Sequence, residues 1–263
     1  MNSAEKEMLE LLKKLRGEYS VHGLKTEFEA EGARLEEVLR LKELCAKADL
    51  ALTLKIGGCE AVSDMHTAQS VGVDAIVAPM IESAFALKKF VDVAKSVYTA
   101  CELESLELRV NVESLTGAKN FDEMLGTSQF DRLSGIVIGR KDLALSMESD
   151  NVDDDRVIDC CREIFTKARC QKPKMQCSMG GMITPRVLPL LKEFTSMVSF
   201  FETRKVIYQI PEGGITPKMM EGVKKGYEFE MLWYKTKHGY YQAIAGSDDN
   251  YMKRVEAAYA LFA

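Results

Sequence analysis

The chain has 263 residues, of which 46% are hydrophobic and 29% are charged, and this composition is typical of a soluble globular protein. A net charge of -5 gives no overall electrostatic footprint for nucleic acid, and no apolar run has the length of a membrane span or a signal peptide. We therefore expect a cytoplasmic protein that binds neither nucleic acid nor membrane. Seven cysteines without a CxxC pair, beside three histidines, predict neither a disulfide framework nor a zinc site.

An amphipathic helix is predicted first, over residues 4–16, and alternating strands and helices follow from residue 23 to residue 203. Seven short runs with β-branched or aromatic content predict strands: GLKTEFE (23–29), LALTLKI (50–56), VDAIVAPM (73–80), LELRVNVE (106–113), LSGIVIG (133–139), KPKMQCSM (172–179) and SMVSFFET (196–203). A C-terminal helical region is predicted over residues 215–263, with residues 255–262 as a separate short helix.

The predicted strand ends recur every 25 to 36 residues, which is the length of one βαβ unit, so an all-parallel sheet is expected. A doubly wound sheet and a TIM (β/α)8 barrel both fit this pattern. Charged residues at many strand ends, rather than at one switch point, favour the barrel. The eighth strand is either formed near residues 18–21 or 206–210, or is missing. We expect one domain with an N-terminal helix (1–17), a barrel core (23–204) and a C-terminal helical region (215–263).

Two carboxylates follow neighbouring predicted strands. Glu113 ends LRVNVE, and Asp142 lies a few residues past the next strand in VIGRKDLALSM. Adjacent strands lie about 4.8 Å apart, so the two side chains can converge, and the repulsion between them is relieved if a cation bridges them. A divalent metal, Mg²⁺ or Mn²⁺, with oxygen ligands satisfies both. The alternative is that Asp142 caps a helix over residues 143–149 and Glu113 pairs with a lysine.

Lys55 closes the strand LALTLKI and is followed by Gly57 and Gly58, with a helix expected to start at Cys59. Two glycines before a helix N-terminus allow backbone N–H groups to approach an anion, and Lys55 adds a positive charge. These residues are candidates for binding a substrate carboxylate or phosphate. A plain structural turn beside a lysine that reaches to solvent is the alternative.

The segment TEFEAEGARLEE carries Glu27, Glu29 and Glu31, which alternate and so share one face of an extended chain. If Glu27 and Glu29 point into the barrel mouth, either one is suited to proton transfer or to orienting Lys55. Glu29 is the candidate that we retain. For Glu31 we expect an acidic surface loop that leads into a helix.

Late in the chain, Arg204 follows the last predicted strand, where a guanidinium can hold a substrate carboxylate by paired hydrogen bonds. A salt bridge that closes the barrel rim is the ordinary alternative. Gly180, in SMGGMITP, offers either close backbone approach to a substrate or only a turn. The aromatic and lysine-rich stretch FEMLWYKTKHGYY is assigned to helix packing or a subunit contact.

Four segments together resemble the HpcH/HpaI aldolase and citrate lyase family: LTLKIGGCEA, VGVDAIVAPMIESAFALKKFV, LRVNVESLTGAKNFDEML and LSGIVIGRKDLALSM, within residues 50–147. The resemblance implies a TIM barrel, usually in an oligomer, with Glu113 and Asp142 as metal ligands. The family's aldolases carry an arginine for the substrate carboxylate where this chain has Lys55. The region that matches their acidic–histidine pair reads FEAEG and contains no histidine.

What the resemblance implies is a divalent-metal-dependent carbon–carbon lyase or aldolase that acts through an enolate of pyruvate or a related 2-oxo acid. Lys55, with the amides near Gly57 and Gly58, would anchor an anionic group, and Glu29 or a metal-bound water would move the proton. Two alternatives stay open: an aldolase with a Schiff base at Lys55, and a non-catalytic barrel that binds a ligand or serves as a scaffold. We expect a small-molecule carboxylate substrate and a homo-oligomer.

Overall fold

Eight strands close into a barrel in the computed structural model, which describes residues 1–262. In chain order the strands are β1 (Val21–Glu27), β2 (Ala51–Lys55), β3 (Ala75–Ala78), β4 (Glu107–Asn111), β5 (Gly135–Gly139), β6 (Gln176–Gly180), β7 (Phe200–Glu202) and β8 (Val206–Gln209). The order around the barrel is the order in the chain. The TIM-type barrel predicted from the spacing of the strand ends is confirmed, and each of the seven predicted strands is present.

The prediction of an all-parallel sheet is wrong for the eighth strand. Strand β8 pairs antiparallel with β7 on one side and with β1 on the other. Only residues 203–205 connect β7 to β8. So short a connection can join only antiparallel neighbours, since a parallel pair needs a crossover of a dozen residues or more. Of the two places proposed for the eighth strand, residues 206–210 hold it.

Helices pack around the barrel. In chain order they are α1 (Ser3–Tyr19), α2 (Leu35–Ala48), α3 (Val62–Val71), α4 (Ala84–Val97), α5 (Ala100–Ser105), α6 (Leu115–Lys119), α7 (Phe121–Leu125), α8 (Arg140–Ser146), α9 (Asp155–Gln171), α10 (Leu188–Glu193) and α11 (Pro217–Tyr259), with 3-10 turns at Phe130–Arg132, Pro185–Val187 and Ala260–Phe262. The separate last helix expected over residues 255–262 is wrong, because α11 continues unbroken to Tyr259. No helix within residues 1–262 is both long enough and apolar enough to cross a membrane.

The hydrophobic core lies between the outer face of the barrel and the helices. On β4 and the residues after it, Leu108, Val110 and Val112 belong to this core. The residues between them, Arg109, Asn111 and Glu113, are also buried but polar. Successive side chains on a strand point to opposite faces, so the polar set points into the barrel. The barrel interior therefore carries charge, and the apolar packing that stabilises the fold lies outside it.

Helix α11 is 43 residues long. It runs alongside the barrel from the end at which β1 begins to the end at which β1 finishes. Near its start Gly222 packs against Tyr19, at the end of α1. Further along, the Tyr234 hydroxyl donates to Glu31, past the end of β1, at 2.6 Å. At about 1.5 Å per residue the helix measures roughly 60 Å. Its last part, from residue 242 to 259, is exposed on all sides and extends beyond the barrel.

Candidate active site

A cavity of about 480 Å³ opens at the carboxyl ends of the strands. The last residues of six strands line it: Glu27, Lys55, Asn111, Gly139, Gly180 and Glu202. Barrel strand ends of this kind form the mouth of the fold, where side chains from separate strands meet. None of the seven cysteines, all of which lie within the described residues 1–262, lines the cavity.

Lys55 stands between two carboxylates. Its Nζ atom lies 3.0 Å from Oε2 of Glu29 and 3.3 Å from Oε1 of Glu113. The side chain is 8% exposed, and although burial alone would lower the pKa of Lys55, Glu113 and Glu29 together raise it. Lys55 is therefore held as an ammonium ion, and the predicted orienting contact between Glu29 and Lys55 is present.

Glu113 is buried, with 1% of its side chain exposed. Besides Lys55, it accepts a hydrogen bond of 2.7 Å from Asn111 Nδ2 and a longer one of 3.4 Å from the Met80 amide. Its Oε2 rests over Gly139, where an added Cβ would lie only 2.5 Å away. Burial raises the pKa of Glu113 against the opposing effect of Lys55, and the nearby Asp142 raises it further.

Asp142 lies in the first turn of α8 and lines the same cavity as Glu113. Because α8 begins at Arg140 with Gly139 as its N-cap residue, Asp142 does not cap the helix, and that alternative for its role is wrong. The same alternative also expected Glu113 to pair with a lysine, and this part is correct, because Glu113 pairs with Lys55. The structure therefore brings the two predicted carboxylates to one cavity, with Lys55 beside them.

A second group of charged side chains lies inside the barrel, on β1 and β7. Lys25 Nζ lies 2.5 Å from Oε1 of Glu202 and 3.5 Å from Oε1 of Glu27. Ser178 donates to the other oxygen of Glu202 at 3.2 Å. An added Cβ at Gly180 would meet the Glu202 side chain at 3.4 Å. Gly180 lines the cavity as predicted, and a side chain there would make only an ordinary contact with Glu202.

The predicted anion site at Gly57 and Gly58 is not formed. The Gly57 amide donates to Oδ2 of Asp64 at 2.7 Å, and neither glycine lines the cavity. Helix α3 begins at Val62 rather than Cys59, so Asp64 in its first turn reaches back to the amide expected to bind substrate. The prediction of substrate-binding amides at these two glycines is wrong for this reason.

Arg204 lies at the rim in the turn between β7 and β8. Its side chain is 49% exposed, and its Nη1 is 3.7 Å from carboxylate oxygens of both Glu27 and Glu31. Arg204 lines the cavity, so it remains within reach of a ligand. Its contacts are those of a rim salt bridge, which was the alternative to substrate binding.

Several buried polar residues beside the cavity were missed by the sequence analysis. Glu31, expected on an acidic surface loop, has 7% of its side chain exposed and pairs with Lys205 and with Tyr234. Glu230 on α11 accepts from the Lys205 amide at 2.8 Å and from the Thr203 hydroxyl at 2.6 Å. The alternation of polar and apolar residues within the strands was the available signal for Lys25 and Asn111. No local signal pairs Glu31 with residues some 200 positions away.

The donor set and charge balance of the cavity fit a divalent cation. Within residues 1–262, no group of three or more His, Cys, Asp or Glu side chains is arranged to hold a metal. Mg²⁺ needs only one or two protein carboxylates, however, with water and substrate at its other positions. Glu113 and Asp142 supply that number, and Asn111 Oδ1 beside them is buried without a hydrogen-bond partner. The cavity is lined by six carboxylates, Glu27, Glu29, Glu113, Asp142, Glu202 and Glu230, against four cations, Lys25, Lys55, Lys141 and Arg204.

Comparisons with known proteins agree with this architecture. The sequence model of the family described as HpcH/HpaI aldolase/citrate lyase matches residues 30–176. This span runs from the loop after β1 to the start of β6 and contains Lys55, Glu113 and Asp142. A search of curated protein sequences finds no match.

Solved structures share the fold at low sequence identity. An HpcH/HpaI aldolase from Desulfitobacterium hafniense DCB-2 superposes with a TM-score of 0.63 at 11% identity, over 77% of this chain and 83% of that one. The citrate synthase SbnG gives 0.59 at 12%, over 88% and 90%. An HpcH/HpaI aldolase/citrate lyase family protein from Burkholderia cenocepacia J2315 gives 0.59 at 13%, over 74% and 92%. At these identities the likeness shows the barrel fold alone.

Proposed function

Because the chain belongs to the HpcH/HpaI aldolase/citrate lyase family, we propose that it is a metal-dependent carbon–carbon lyase or aldolase acting in the cytoplasm. Its substrate would be pyruvate or a related 2-oxo acid, which reacts through an enolate. The single observation that carries the proposal is the convergence of Glu113, Asp142 and Lys55 on one cavity at the strand ends. A cation and an ammonium group placed there would stabilise the negative charge that an enolate develops.

Glu113 and Asp142 are the residues that would hold the metal, Mg²⁺ or Mn²⁺. The ion would supply positive charge that stabilises the negative charge developing on an enolate. Asn111 and Gly139 hold the Glu113 carboxylate in place, one by a hydrogen bond of 2.7 Å and the other by leaving space for it. The substitution Gly139→Ala would remove that space.

Lys55 would bind an anionic oxygen of the substrate as a fixed ammonium. Its two carboxylate partners keep it charged and aimed into the cavity. Glu29 is the more accessible partner, with 28% of its side chain exposed, and is the candidate to accept or return a proton at the substrate carbon. Its Oε2 atom forms an ion pair with Lys55 Nζ at 3.0 Å.

The raised pKa of Lys55 counts against the Schiff-base alternative, because a nucleophilic amine must first lose its proton. The other alternative is a barrel without catalytic activity that binds a ligand or serves as a scaffold. It predicts that a 2-oxo acid binds without exchange of its protons, or does not bind at all. The proposed homo-oligomer is tested separately by sedimentation equilibrium of the full chain, and a species at the monomer mass at all concentrations would contradict it.

Proton–deuterium exchange at C3 of pyruvate in D₂O tests the enolate directly. We expect exchange with Mg²⁺ or Mn²⁺, and its loss with EDTA or in Glu113→Ala and Asp142→Ala. Asp159→Asn serves as the matched control, because Asp159 has 73% of its side chain exposed and pairs only with Arg162 on the helix surface. Metal binding without exchange of pyruvate or of any other 2-oxo acid tested would count against the proposal.

A further inference from the structure

Two methionines at the cavity have an uncommon backbone conformation. Met80 lies two residues past β3 and Met182 two residues past β6, and both line the cavity. Their φ angles are 47° and 51°, in the left-handed region that disfavours residues with a Cβ atom. Within residues 1–262, the other non-glycine residues with positive φ lie just past the last turn of a helix, where this conformation is ordinary: Ser20, Asp49 and Glu148.

Neighbouring contacts fix the backbone at both methionines. The Met80 amide donates to Oε1 of Glu113 at 3.4 Å, and the amide of the next residue donates to the last residue of β4 at 3.1 Å. Beside Met182, the carbonyl oxygen of the next residue accepts a hydrogen bond of 2.8 Å from the Tyr227 hydroxyl. Residues held in a costly conformation by their surroundings cluster at ligand sites, so both positions are candidates for contact with a ligand.

The side chains of both methionines are large, apolar and exposed. Met80 is 43% exposed and Met182 is 62% exposed, and neither belongs to the hydrophobic core. In the order of the strands around the barrel, Met80 follows β3, Glu113 follows β4, Asp142 follows β5 and Met182 follows β6. The methionines therefore flank the two carboxylates proposed to hold the metal.

We propose that Met80 and Met182 form an apolar clamp that binds the part of the substrate beyond the reacting carbons, and that both residues determine specificity. Methionine suits this role, because its flexible, polarisable side chain adapts to apolar groups of different shape. The substrate class that fits is a 4-hydroxy-2-oxo acid with an unbranched alkyl group on C4.

Cleavage of such a compound gives pyruvate and an alkyl aldehyde. The C3–C4 bond breaks and its electron pair passes to the pyruvate enolate. The C4 hydroxyl loses its proton as the aldehyde forms, and the enolate takes up a proton at C3. The inference rests on the proposed function and adds to it the chemistry of the other half of the substrate.

A second carboxylate on the substrate is the alternative to an alkyl group. Lys141 lines the cavity beside Asp142, and its ammonium group would suit such a carboxylate. The cavity is lined by six carboxylates against four cations, however, and this excess of negative charge opposes a further anion. An alkyl group on the clamp avoids that repulsion.

A series of 4-hydroxy-2-oxo acids tests the clamp. Its members carry hydrogen, methyl, ethyl or propyl on C4, and 4-hydroxy-2-oxoglutarate is the member with a second carboxylate. Release of pyruvate in the presence of Mn²⁺ gives kcat/KM for each compound. We expect kcat/KM of the wild type to rise by about 4-fold for each methylene group that the clamp covers. We expect 4-hydroxy-2-oxoglutarate to be cleaved less well than the propyl compound.

Met80→Asn and Met182→Asn make the clamp polar with a residue that tolerates the left-handed backbone. The ratio of kcat/KM between the propyl and hydrogen compounds cancels any general loss of activity in a variant. This ratio should fall at least ~4-fold in each single variant and approach about 1 in the double variant. Met182→Leu keeps an apolar side chain and should retain most of the ratio. Met231→Asn is the matched control with an unchanged ratio, because Met231 is 54% exposed on α11 and does not line the cavity.

Circular dichroism and thermal denaturation check that each variant is folded. Where an Asn variant does not fold, Met80→Gly or Met182→Gly takes its place, since glycine adopts the same backbone without strain, and the same fall in the ratio is expected.

The clamp is overturned by a wild-type series without a rise, by an unchanged ratio in the Asn variants, or by preferred cleavage of 4-hydroxy-2-oxoglutarate. Exchange of pyruvate protons without cleavage of any member of the series overturns it as well. In each of these cases, metal-dependent exchange of pyruvate protons still supports the proposed function. If the wild type neither exchanges pyruvate protons nor cleaves any compound, the proposed function fails and the inference fails with it.

Discussion

Lys55 and Glu113 meet across the barrel mouth, with Lys55 Nζ 3.3 Å from Glu113 Oε1. Lys55 ends β2 and Glu113 lies just past β4, so the contact passes over the end of β3 between them. Both side chains are buried, and each affects the other's charge: Glu113 raises the pKa of Lys55, and Lys55 opposes the rise in the pKa of Glu113 caused by burial. The pair therefore sets the charge in the centre of the cavity.

Replacing Lys55 by Met removes the ammonium that would bind the substrate anion. We expect pyruvate exchange to fall by about 100-fold or more, the usual loss when one group that stabilises a developing anion is removed. Lys55→Arg keeps the charge and should retain more activity than Lys55→Met. Borohydride reduction with pyruvate should leave no adduct on the wild-type protein by mass spectrometry. A stable adduct at Lys55 would instead establish the Schiff-base alternative.

Gly139→Ala tests whether the space beside Gly139 is needed to position the Glu113 carboxylate. The added Cβ would lie 2.5 Å from Glu113 Oε2, so the carboxylate must move. We expect at least a 10-fold loss of exchange in a protein that still folds. Gly58→Ala is the matched control, since no atom lies within 4 Å of its Cβ, and it should behave as wild type. Equal losses in both variants would show that Gly139 has no special relation to the site.

The raised pKa of Glu113 makes stability depend on pH. Its pKa is higher in the folded chain than in the unfolded chain, so the folded state binds the proton more tightly. The associated stability is present below the ordinary pKa of a glutamate and is lost as pH rises through the raised pKa. Glu113→Gln does not titrate, and its Lys55 partner keeps Glu29. In EDTA, the melting temperature of Glu113→Gln relative to wild type should therefore increase from acidic to neutral pH.

Scanning calorimetry between acidic and neutral pH measures this difference. Glu104→Gln is the control for the loss of one exposed carboxylate, because Glu104 lies on the surface away from the cavity. A Glu113→Gln difference that decreases towards neutral pH would mean that the ionised carboxylate is stabilised by its neighbours more than burial penalises it.

The buried pair of Lys25 and Glu202 connects β1 to β7 across the antiparallel β8. Lys25→Met leaves Glu202 without its main partner in a site where the two side chains are 13% and 5% exposed. We expect a loss of about 3–5 kcal/mol in the free energy of unfolding. The double variant Lys25→Met/Glu202→Gln should recover part of it. Urea denaturation of both single variants and the double variant gives the coupling, and additive losses would show that the pair does not act as a unit.

Sequence patterns predicted the barrel and the main carboxylates because both depend on local repeats. The 25- to 36-residue spacing of the strand ends is a property of each βαβ unit. Glu113 was predicted from its place after an apolar run. The same run alternates, with Arg109 and Asn111 between Leu108 and Val110, and this alternation indicates a polar barrel interior.

The features that could not be predicted depend on contacts between distant parts of the chain. Glu31 reaches Lys205 and Tyr234, which are 174 and 203 positions away. The reversal of β8 depends on where residues 203–205 turn back, and no strong turn sequence marks that point. At Gly57, a single side chain from the next helix, Asp64, occupies the amide that the glycine pattern left open.

Titration with Mn²⁺ in the presence of oxalate, a planar dianion that resembles an enolate of pyruvate, measures whether Glu113 and Asp142 act on one ion. Calorimetry of the wild type, Glu113→Gln, Asp142→Asn and the surface control Asp159→Asn gives the stoichiometry and affinity. We predict one Mn²⁺ per chain in the wild type and in the control, with affinity at least 10-fold weaker in each of the other two variants. Binding of equal strength in all four proteins would contradict a metal site made by Glu113 and Asp142.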